Sequence, residues 1–215
     1  MIPSTHPTTR NSANLPILER ITPINRNKLN SLIQFQHPNQ EGDFMPLSLL
    51  ENEILEQPAA LANLIGAENV HALALAEKLR GKFNYIMIAA RGTSDNAARY
   101  AQYLFQMANR IPVALATPSV FSVYKKQPDL SGALVLAISQ SGMSPDILSV
   151  VEEGKRQGRP SVAITNDPES PLAQIADDVI PLHAGPERAV AATKTYTTSL
   201  AAMALLSYGF ADDPD

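Results

Sequence analysis

The sequence predicts an α/β fold in which a five-stranded parallel sheet carries helices on both faces. Short continuous apolar runs alternate along the chain with segments whose apolar residues repeat at helical spacing. The apolar runs lack the polar alternation of a half-exposed strand, which is typical of strands that are covered on both faces. Strands and helices that alternate in this rhythm form repeated right-handed βαβ units.

The first part of the folded region is predicted to be helical. Apolar residues at helical spacing predict one helix over Leu47–Ile65, which Pro58 should interrupt or restart, and a second helix over Asn69–Leu79. The short apolar run Tyr85–Ala90 then predicts the first strand. The polar residues 91–96 open the helix that follows it.

Four further strands are predicted, with helical segments between them. The strands cover residues 112–116, 133–138, 161–165 and 178–182. The helical segments cover residues 120–124, the stretch from 145 to 157, residues 171–176 and a final helix over residues 190–208. In such sheets ligands bind beyond the carboxyl ends of the strands, so the loops after the first, third and fifth strands are the candidates for a site.

The third strand leads into a hydroxyl-rich turn and the start of a helix. Ser139, Gln140 and Ser141 follow the apolar run, Gly142 permits a tight turn, and Ser144 stands at the expected N-cap of the helix. Backbone N–H groups and the positive end of a helix dipole point at such a strand end. The pattern therefore predicts a phosphate site. The alternative is that Ser144 only caps the helix and the other hydroxyls are ordinary loop residues.

The loop after the first strand carries a second set of small and hydroxyl residues, Gly92, Thr93 and Ser94. It lacks the further glycines of a dinucleotide-binding fingerprint, and no P-loop pattern occurs in the sequence. Two neighbouring hydroxyl loops indicate one phosphate ester. Arg91, just before the loop, either neutralises phosphate charge or is an exposed residue at a strand end.

Composition excludes several classes of site. The 215 residues include no cysteine, so disulfides, thiolate metal sites and cysteine nucleophiles are excluded. The four histidines lack ligand spacing, and neither a metal nor another cofactor is predicted. The formal net charge of −4 argues against a general nucleic-acid binder. No apolar run approaches the roughly 18 residues of a membrane span, so we expect a soluble, cytoplasmic protein without a membrane segment.

Residues 1–44 differ from the rest of the chain. They contain five prolines and six asparagines, and their short apolar patches have no period. We expect a disordered or loosely attached extension without a fold of its own, followed by a single domain over residues 45–215. The alternative is that Met45 is the true start of the protein.

The loop motifs resemble those of the sugar isomerase (SIS) domain, the module of phosphosugar isomerases and phosphosugar-binding proteins. The matching segments are Ala90–Ser94, Ile138–Ser144, Ala184–Glu187 and Val190–Lys194, in the usual order and spacing. They resemble the first SIS domain in the isomerising part of glutamine–fructose-6-phosphate aminotransferase, and also the related glucosamine-6-phosphate deaminase/isomerase branch. The resemblance implies a flavodoxin-like three-layer sandwich that binds a hexose or hexosamine 6-phosphate.

The resemblance, together with the loop patterns, gives a set of candidate substrate-binding residues. They are Gly92, Thr93, Ser94, Ser139, Gln140, Ser141, Ser144, Val190, Ala192 and Lys194. The aminotransferases usually carry serine at the position of Ala192, which favours the deaminase-like branch.

Two ionisable residues near these motifs are open to two interpretations. Glu187 is the one candidate catalytic residue, as an acid or base, and its alternative role is that of a structural carboxylate. Lys194 either touches the phosphate or a sugar hydroxyl, or is solvated or structurally paired.

The aminotransferases also carry a glutaminase domain with a cysteine nucleophile, and two SIS domains in tandem. This sequence has no cysteine and no second copy of the loops, so we expect the family's second SIS domain, with its catalytic residues, to be missing. Three functions stay open: an enzyme of aminosugar-phosphate metabolism completed by a homodimer or a partner chain, a non-catalytic phosphosugar-binding or regulatory module, and a truncated gene product. The Ala/Leu-rich stretch Leu200–Leu206 is the expected association face.

Overall fold

Five strands at the centre of the fold form a wholly parallel sheet in the order β2-β1-β3-β4-β5. The structure is a computed structural model that describes residues 47–211, so the predicted extension over residues 1–44 lies outside the described residues. The strands are β1 Tyr85–Ala90, β2 Val113–Leu115, β3 Ala133–Ile138, β4 Ser161–Thr165 and β5 Asp178–Pro181. The parallel sheet expected from the apolar runs is confirmed.

Seven helices are formed by the described part of the chain. They are α1 Leu49–Leu55, α2 Gln57–Leu79, α3 Thr93–Asn109, α4 Pro118–Ser122, α5 Pro145–Arg156, α6 Pro171–Ile175 and α7 Lys194–Phe210. Alternate residues of β3 point to opposite sides of the sheet, as the pleat requires. Leu134, Leu136 and Ile138 pack in a core cluster with α2, α3 and α7, whereas Val135 and Ala137 pack in a second cluster with α4, α5 and α6. Helices therefore cover both faces of the sheet, as predicted.

The two helices predicted before the first strand have the wrong bounds. The chain instead forms the short helix α1 and then α2, which runs without a break through Gly66. Pro58 lies in the first turn of α2, where its missing N–H group has no partner to lose. A glycine inside a helix costs only about 1 kcal/mol relative to alanine, and the packing of α2 against α7 outweighs this cost.

The last helix begins later than predicted and is covered by its neighbours. α7 starts at Lys194, so Val190 lies in the preceding loop. Residues Leu200–Leu206 do not form a free face, because α7 packs between α2 and α3 and Leu206 is fully buried. The expected association face is therefore part of the core. The continuous helix α2, which the sequence analysis divided, supplies its cover.

Helix α2 is long and apolar enough, by length and composition, to cross a membrane, although only a third of its most apolar window is buried in the structure. Its inner side carries Leu64, Leu75 and Leu79, which are buried in the core cluster beneath α7. Its length is interrupted by polar residues such as Glu68 and Lys78. In the described fold, α2 serves as a packing helix for the sheet.

Two glycines on these packed helices give a test of the contact between α2 and α7. A methyl group added to Gly209 of α7 would lie 2.6 Å from the Cβ atom of Ala76 on α2. A methyl group added to Gly66 would meet no atom within 4 Å. We expect Gly209→Ala to lower the free energy of unfolding by about 1–3 kcal/mol, because the extra methyl group overpacks the contact.

Gly66→Ala is the matched control, and it should raise the free energy of unfolding by up to about 1 kcal/mol through helix propensity alone. Urea denaturation of both variants at pH 7 measures the two changes. A gain in stability for both variants would show that the helices do not approach each other this closely.

Candidate functional site

A cavity of about 270 Å³ opens at the carboxyl ends of β1 and β3. These strands are neighbours in the sheet, but the chain leaves β1 toward β2 on one side and reaches β3 on the other. Their carboxyl ends are therefore the topological switch point, where ligands bind in doubly wound sheets. Residues from three segments line the cavity: the loop after β1, the loop after β3, and the segment that leads into α7.

The loop after β3 is fixed by hydrogen bonds of its own backbone. The N–H group of Ser139 donates to the carbonyl of Ile164 on β4 at 3.1 Å. The carbonyl of Gln140 accepts from the N–H of Asn166 at 3.0 Å and from the hydroxyl of Thr165 at 3.2 Å. These bonds tie the loop to β4 and its following turn. The side chains of Ser139, Gln140 and Ser141 are left to line the cavity.

Gly142 allows this loop to turn tightly against the start of α6. Its φ of +62° lies in the left-handed region, where side chains are rarely tolerated. A Cβ atom at this position would lie 2.1 Å from the hydroxyl oxygen of Ser170. The carbonyl of Gly142 also accepts a hydrogen bond of 3.1 Å from the N–H of Leu172 in α6. Both the conformation and the close approach therefore require glycine here.

Ser144 occupies the N-cap position of α5 without acting as a side-chain cap. Its hydroxyl makes no capping hydrogen bond to the first turn of α5, all of whose residues are described. The N-cap of α6 behaves differently, since the hydroxyl of Ser170 accepts a hydrogen bond from the N–H of Ala173. Ser144 instead lines the cavity. The hydroxyl of Ser144 is therefore not used as a cap of α5, in contrast to the capping alternative that the sequence left open.

The loop after β1 brings a second helix terminus to the same cavity. Gly92 is the N-cap residue of α3, and Thr93 and Ser94 in its first turn line the cavity. Gly92 itself is not among the lining residues. An exposed helix terminus stabilises an anion by only about 0.3–1 kcal/mol, whereas one hydrogen bond to a charged group contributes about 1.5–3 kcal/mol. Toward an anion at this position, the hydroxyl groups would therefore contribute more than the helix terminus does.

The third segment contributes more residues than the sequence analysis identified. Val190 and Ala192, for which the resemblance implies contact with the sugar, line the cavity. Thr195, Tyr196 and Ser199 on the first turns of α7 line it as well. Thr195 and Ser199 are four residues apart, so they lie on the same side of α7. The concentration of hydroxyl residues at the start of α7, before the apolar stretch that begins at Leu200, is the sequence signal that could have identified them.

Lys194 does not line the cavity. Its side chain is almost fully buried, with 2% of its surface exposed, and its ammonium group pairs with the carboxylate of Glu56 at the junction of α1 and α2. The structure therefore favours the structural pairing that the sequence analysis left open for this lysine.

Glu187 also lies outside the cavity lining, where it receives hydrogen bonds from the start of α7. Its carboxylate accepts from the N–H of Thr193 at 2.8 Å, the hydroxyl of Thr193 at 3.1 Å, the N–H of Thr195 at 3.3 Å and the hydroxyl of Thr195. Burial acts to raise the pKa of Glu187, but these bonds, led by that from the Thr195 hydroxyl, outweigh burial and lower the pKa below its ordinary value. The geometry is that of a structural carboxylate.

Carboxylates from the first two helices hold the same irregular segment from the other side. Buried Glu53 of α1 accepts hydrogen bonds from the backbone N–H groups of Arg188 at 2.6 Å and Ala189 at 3.1 Å. Glu68 of α2 bridges the rings of His71 and His183 at 2.7 and 2.6 Å. No group of three or more histidine, aspartate or glutamate side chains within residues 47–211 has the arrangement of a metal site.

Arg91 is the one charged residue among the described residues that line the cavity. Its guanidinium group pairs with the carboxylate of Asp146 in the first turn of α5. This ion pair joins the loop after β1 to the helix that follows β3.

Comparison with known proteins finds a family match over most of the chain. The SIS domain family matches residues 81–207. Glutamine–fructose-6-phosphate aminotransferase [isomerizing] of Thermus thermophilus is 39% identical over 163 residues, which cover 74% of this chain and 27% of that protein. The chain thus spans about a quarter of the length of the curated relatives it matches.

Two solved structures share the fold at substantial sequence identity. A proposed phosphosugar isomerase from Silicibacter pomeroyi is 39% identical, with a TM-score of 0.73, over 76% of this chain and 50% of that chain. The C-terminal domain of glucosamine-fructose-6-phosphate aminotransferase from Francisella tularensis is 32% identical, with a TM-score of 0.67, over 80% of this chain and 49% of that chain. These relatives confirm the α/β fold expected from the sequence.

The structural role of Glu187 gives a pH-dependent prediction. Because the pKa of this group is lowered in the folded protein, its contribution to stability is present above its ordinary value near 4.5 and is lost as the pH falls through the lowered value. We expect Glu187→Gln to lower the free energy of unfolding by about 1–3 kcal/mol at pH 7, because neutral oxygen accepts the four hydrogen bonds less strongly.

Urea denaturation of the parent and the variant at pH 7 and pH 3 measures this effect. The difference between them should be largest at pH 7 and shrink at pH 3. Glu152→Gln, which changes an exposed carboxylate on α5, is the control and should have little effect at either pH. A Glu187→Gln effect that is independent of pH would contradict the ionised, hydrogen-bonded state of Glu187.

Proposed function

Because this chain belongs to the SIS domain family, we propose that its cavity binds a sugar phosphate, specifically a hexose or hexosamine 6-phosphate. The observation that carries the proposal is the convergence of hydroxyl groups from two loops, and of the amino ends of α3 and α5, at the switch point of the sheet. Relatives that are named as acting on fructose 6-phosphate or as phosphosugar isomerases support this ligand class.

The arrangement of the lining residues suggests how the ligand lies. Ser94, Ser139, Ser141 and Ser144 offer neutral hydrogen-bond donors near the ends of β1 and β3, and they surround the phosphate in this proposal, together with Gln140. The sugar then extends toward the segment that contains Val190 and Ala192. A phosphate ester gains several charge-assisted hydrogen bonds in this position, each worth about 1.5–3 kcal/mol.

Binding is the part of the activity that the described residues support most directly. Aldose–ketose isomerisation and deamination both need an acid or base that is positioned to move a proton of the sugar. The one carboxylate that the sequence analysis considered for this role, Glu187, is engaged by Thr193 and Thr195. We therefore propose a phosphosugar-binding SIS domain of aminosugar-phosphate metabolism, in which turnover depends on residues supplied by another domain or chain.

An exposed apolar surface on α3 supports association with another chain. This surface, the α3 patch, consists of Tyr100, Tyr103, Leu104, Met107 and Ala108. Tyr103 and Met107 are 70% and 80% exposed. Contiguous exposed apolar groups of this kind mark interaction sites in soluble proteins. The protein is proposed to act in the cytoplasm as a homodimer or with a partner chain that packs on this patch.

The ligand proposal is tested by calorimetric titration of the full chain with glucosamine 6-phosphate. Unphosphorylated glucosamine is the ligand control, and release of ammonia in the same samples reports turnover. We expect binding that requires the phosphate group. A folded protein that binds neither compound, or binds both equally, would remove the phosphate assignment.

Substitution of one hydroxyl group tests where the phosphate lies. Ser141→Ala should weaken the binding of glucosamine 6-phosphate by about 1.5–3 kcal/mol while leaving the thermal unfolding midpoint nearly unchanged, because Ser141 is exposed on the loop surface. Ser131→Ala is the matched control, since Ser131 precedes the amino end of β3 and the cavity lies at its carboxyl end. Equal affinities of the Ser141→Ala and Ser131→Ala variants would contradict the proposed position of the phosphate.

The association surface is tested by sedimentation velocity of the full chain. Tyr103→Lys should shift an associated parent toward single chains, because burial of a lysine ammonium group in an apolar contact is unfavourable. Tyr124→Lys is the control, because Tyr124 is 68% exposed and lies outside the α3 patch. If both variants sediment as the associated parent does, the contact between copies does not involve the α3 patch.

A further inference from the structure

The only charged side chain in the cavity lining of the described residues, Arg91, is already paired. Its guanidinium group contacts the carboxylate of Asp146, which is 55 residues away in the sequence. The side chain of Arg91 is 64% exposed, and that of Asp146 is 22% exposed. The pair therefore links the two loops at the cavity while the cationic partner stays accessible to solvent.

The surroundings of the two partners differ in a way that makes the pair easy to open. Asp146 lies in the first turn of α5, where the helix dipole stabilises a negative charge even without a cation beside it. Arg91 follows β1, and apart from the contact with Asp146 its long side chain is largely exposed to solvent. Water screens an ion pair with so exposed a cation, so the pair contributes little to the stability of the fold.

The hydroxyl groups of the cavity are neutral, so they discriminate between a dianion and a monoanion less strongly than a cation does. A phosphate monoester carries a charge of about −1.5 to −2 at neutral pH. A planar guanidinium group matches two phosphate oxygens with parallel hydrogen bonds. A dianion that enters the cavity therefore competes with Asp146 for the same guanidinium group. A monoanion competes less well.

We propose that Arg91 and Asp146 form a charge-exchange pair, in which Asp146 holds Arg91 until a dianionic phosphate ester binds and takes Arg91 from it. This inference rests on the proposed function, because it concerns the same cavity, and it adds the residue that selects for the charge of the ligand. Arg91 is the selecting residue, and Asp146 is a positioning residue that sets how strongly an anion must bind to capture Arg91.

Competition of the ligand with Asp146 for Arg91 and simple repulsion of the ligand by Asp146 predict different effects of mutation. If Asp146 only repels the ligand, Asp146→Asn tightens binding equally whether or not Arg91 is present. If Asp146 competes for Arg91, Asp146→Asn tightens binding in the parent and has little effect once Arg91 is replaced by glutamine. A double-mutant cycle separates the two cases.

The experiment is calorimetric titration of the full chain and its variants with glucosamine 6-phosphate. Arg91→Gln should weaken binding at least about tenfold, as expected for loss of a charge-assisted contact. Asp146→Asn should tighten binding by about three- to tenfold in the parent, and by less than about twofold in the Arg91→Gln background. Glucosamine 6-sulfate, whose ester carries a single negative charge, should bind more weakly to the parent, and Arg91→Gln should reduce this preference for phosphate.

A second ion pair in the same part of the fold supplies the matched control. Arg99 and Asp95 pair on α3 at 3.1 Å, and the Arg99 side chain is 62% exposed, close to the value for Arg91. Neither residue lines the cavity. Arg99→Gln and Asp95→Asn remove the same charges from the same protein, and they should change the affinity for glucosamine 6-phosphate by less than about twofold.

The outcomes distinguish this inference from the proposed function. Phosphate-dependent binding by the parent, combined with equal effects of Asp146→Asn in both backgrounds or no effect of Arg91→Gln, would overturn the charge-exchange pair and leave the sugar-phosphate site standing. Absence of phosphate-dependent binding by the parent would overturn both. Circular dichroism and thermal unfolding of each variant establish that a loss of binding is not a loss of the fold.

Discussion

The pairing of β1 with β3 is the constraint on which the candidate site depends. Their register brings Ala90 opposite Ile138 at the carboxyl ends of both strands. The helices that follow them then leave on opposite faces of the sheet, with α3 in one core cluster and α5 in the other. Neither helix covers the strand ends, so two loops that are far apart in the sequence lie side by side and leave a crevice between them.

Three carboxylate side chains contact the segment that lines the third side of this crevice. The segment between β5 and α7 has no regular structure, and its backbone N–H groups need partners where they are removed from water. Glu53 and Glu187 supply acceptors to this segment, and Glu56 pairs with Lys194 at its end. A buried carboxylate is unfavourable unless it is paired or hydrogen-bonded. Glu53, which is buried, therefore fixes the segment and is itself satisfied by doing so.

The elements that the sequence predicted best are those that local patterns determine. β1, β3 and β4 have the predicted bounds, since each is a buried apolar run. The restart expected at Pro58 is confirmed, since α1 ends at Leu55 and α2 begins at Gln57, but the predicted break before Asn69 is wrong because α2 continues through this region to Leu79. The hydroxyl loops followed from their motifs, but the pairing of Arg91 with Asp146 depends on the adjacency of β1 and β3, and no pattern within either loop encodes it. The engagement of Glu187 by Thr195 likewise requires knowing where α7 begins.

The loop after β3 has a kinetic consequence for any ligand of this cavity. The N–H groups of Ser139 and Gly142 and the carbonyl groups of Ser139, Gln140 and Gly142 already have hydrogen-bond partners in β4 and its following turn, in α6 and in the loop itself, so an arriving anion has little of this loop left to order. The entropy cost of fixing it is met during folding rather than during association. The association rate is then governed by diffusion and by the electrostatic field at the cavity entrance. Ligands are therefore distinguished mainly by their dissociation rates.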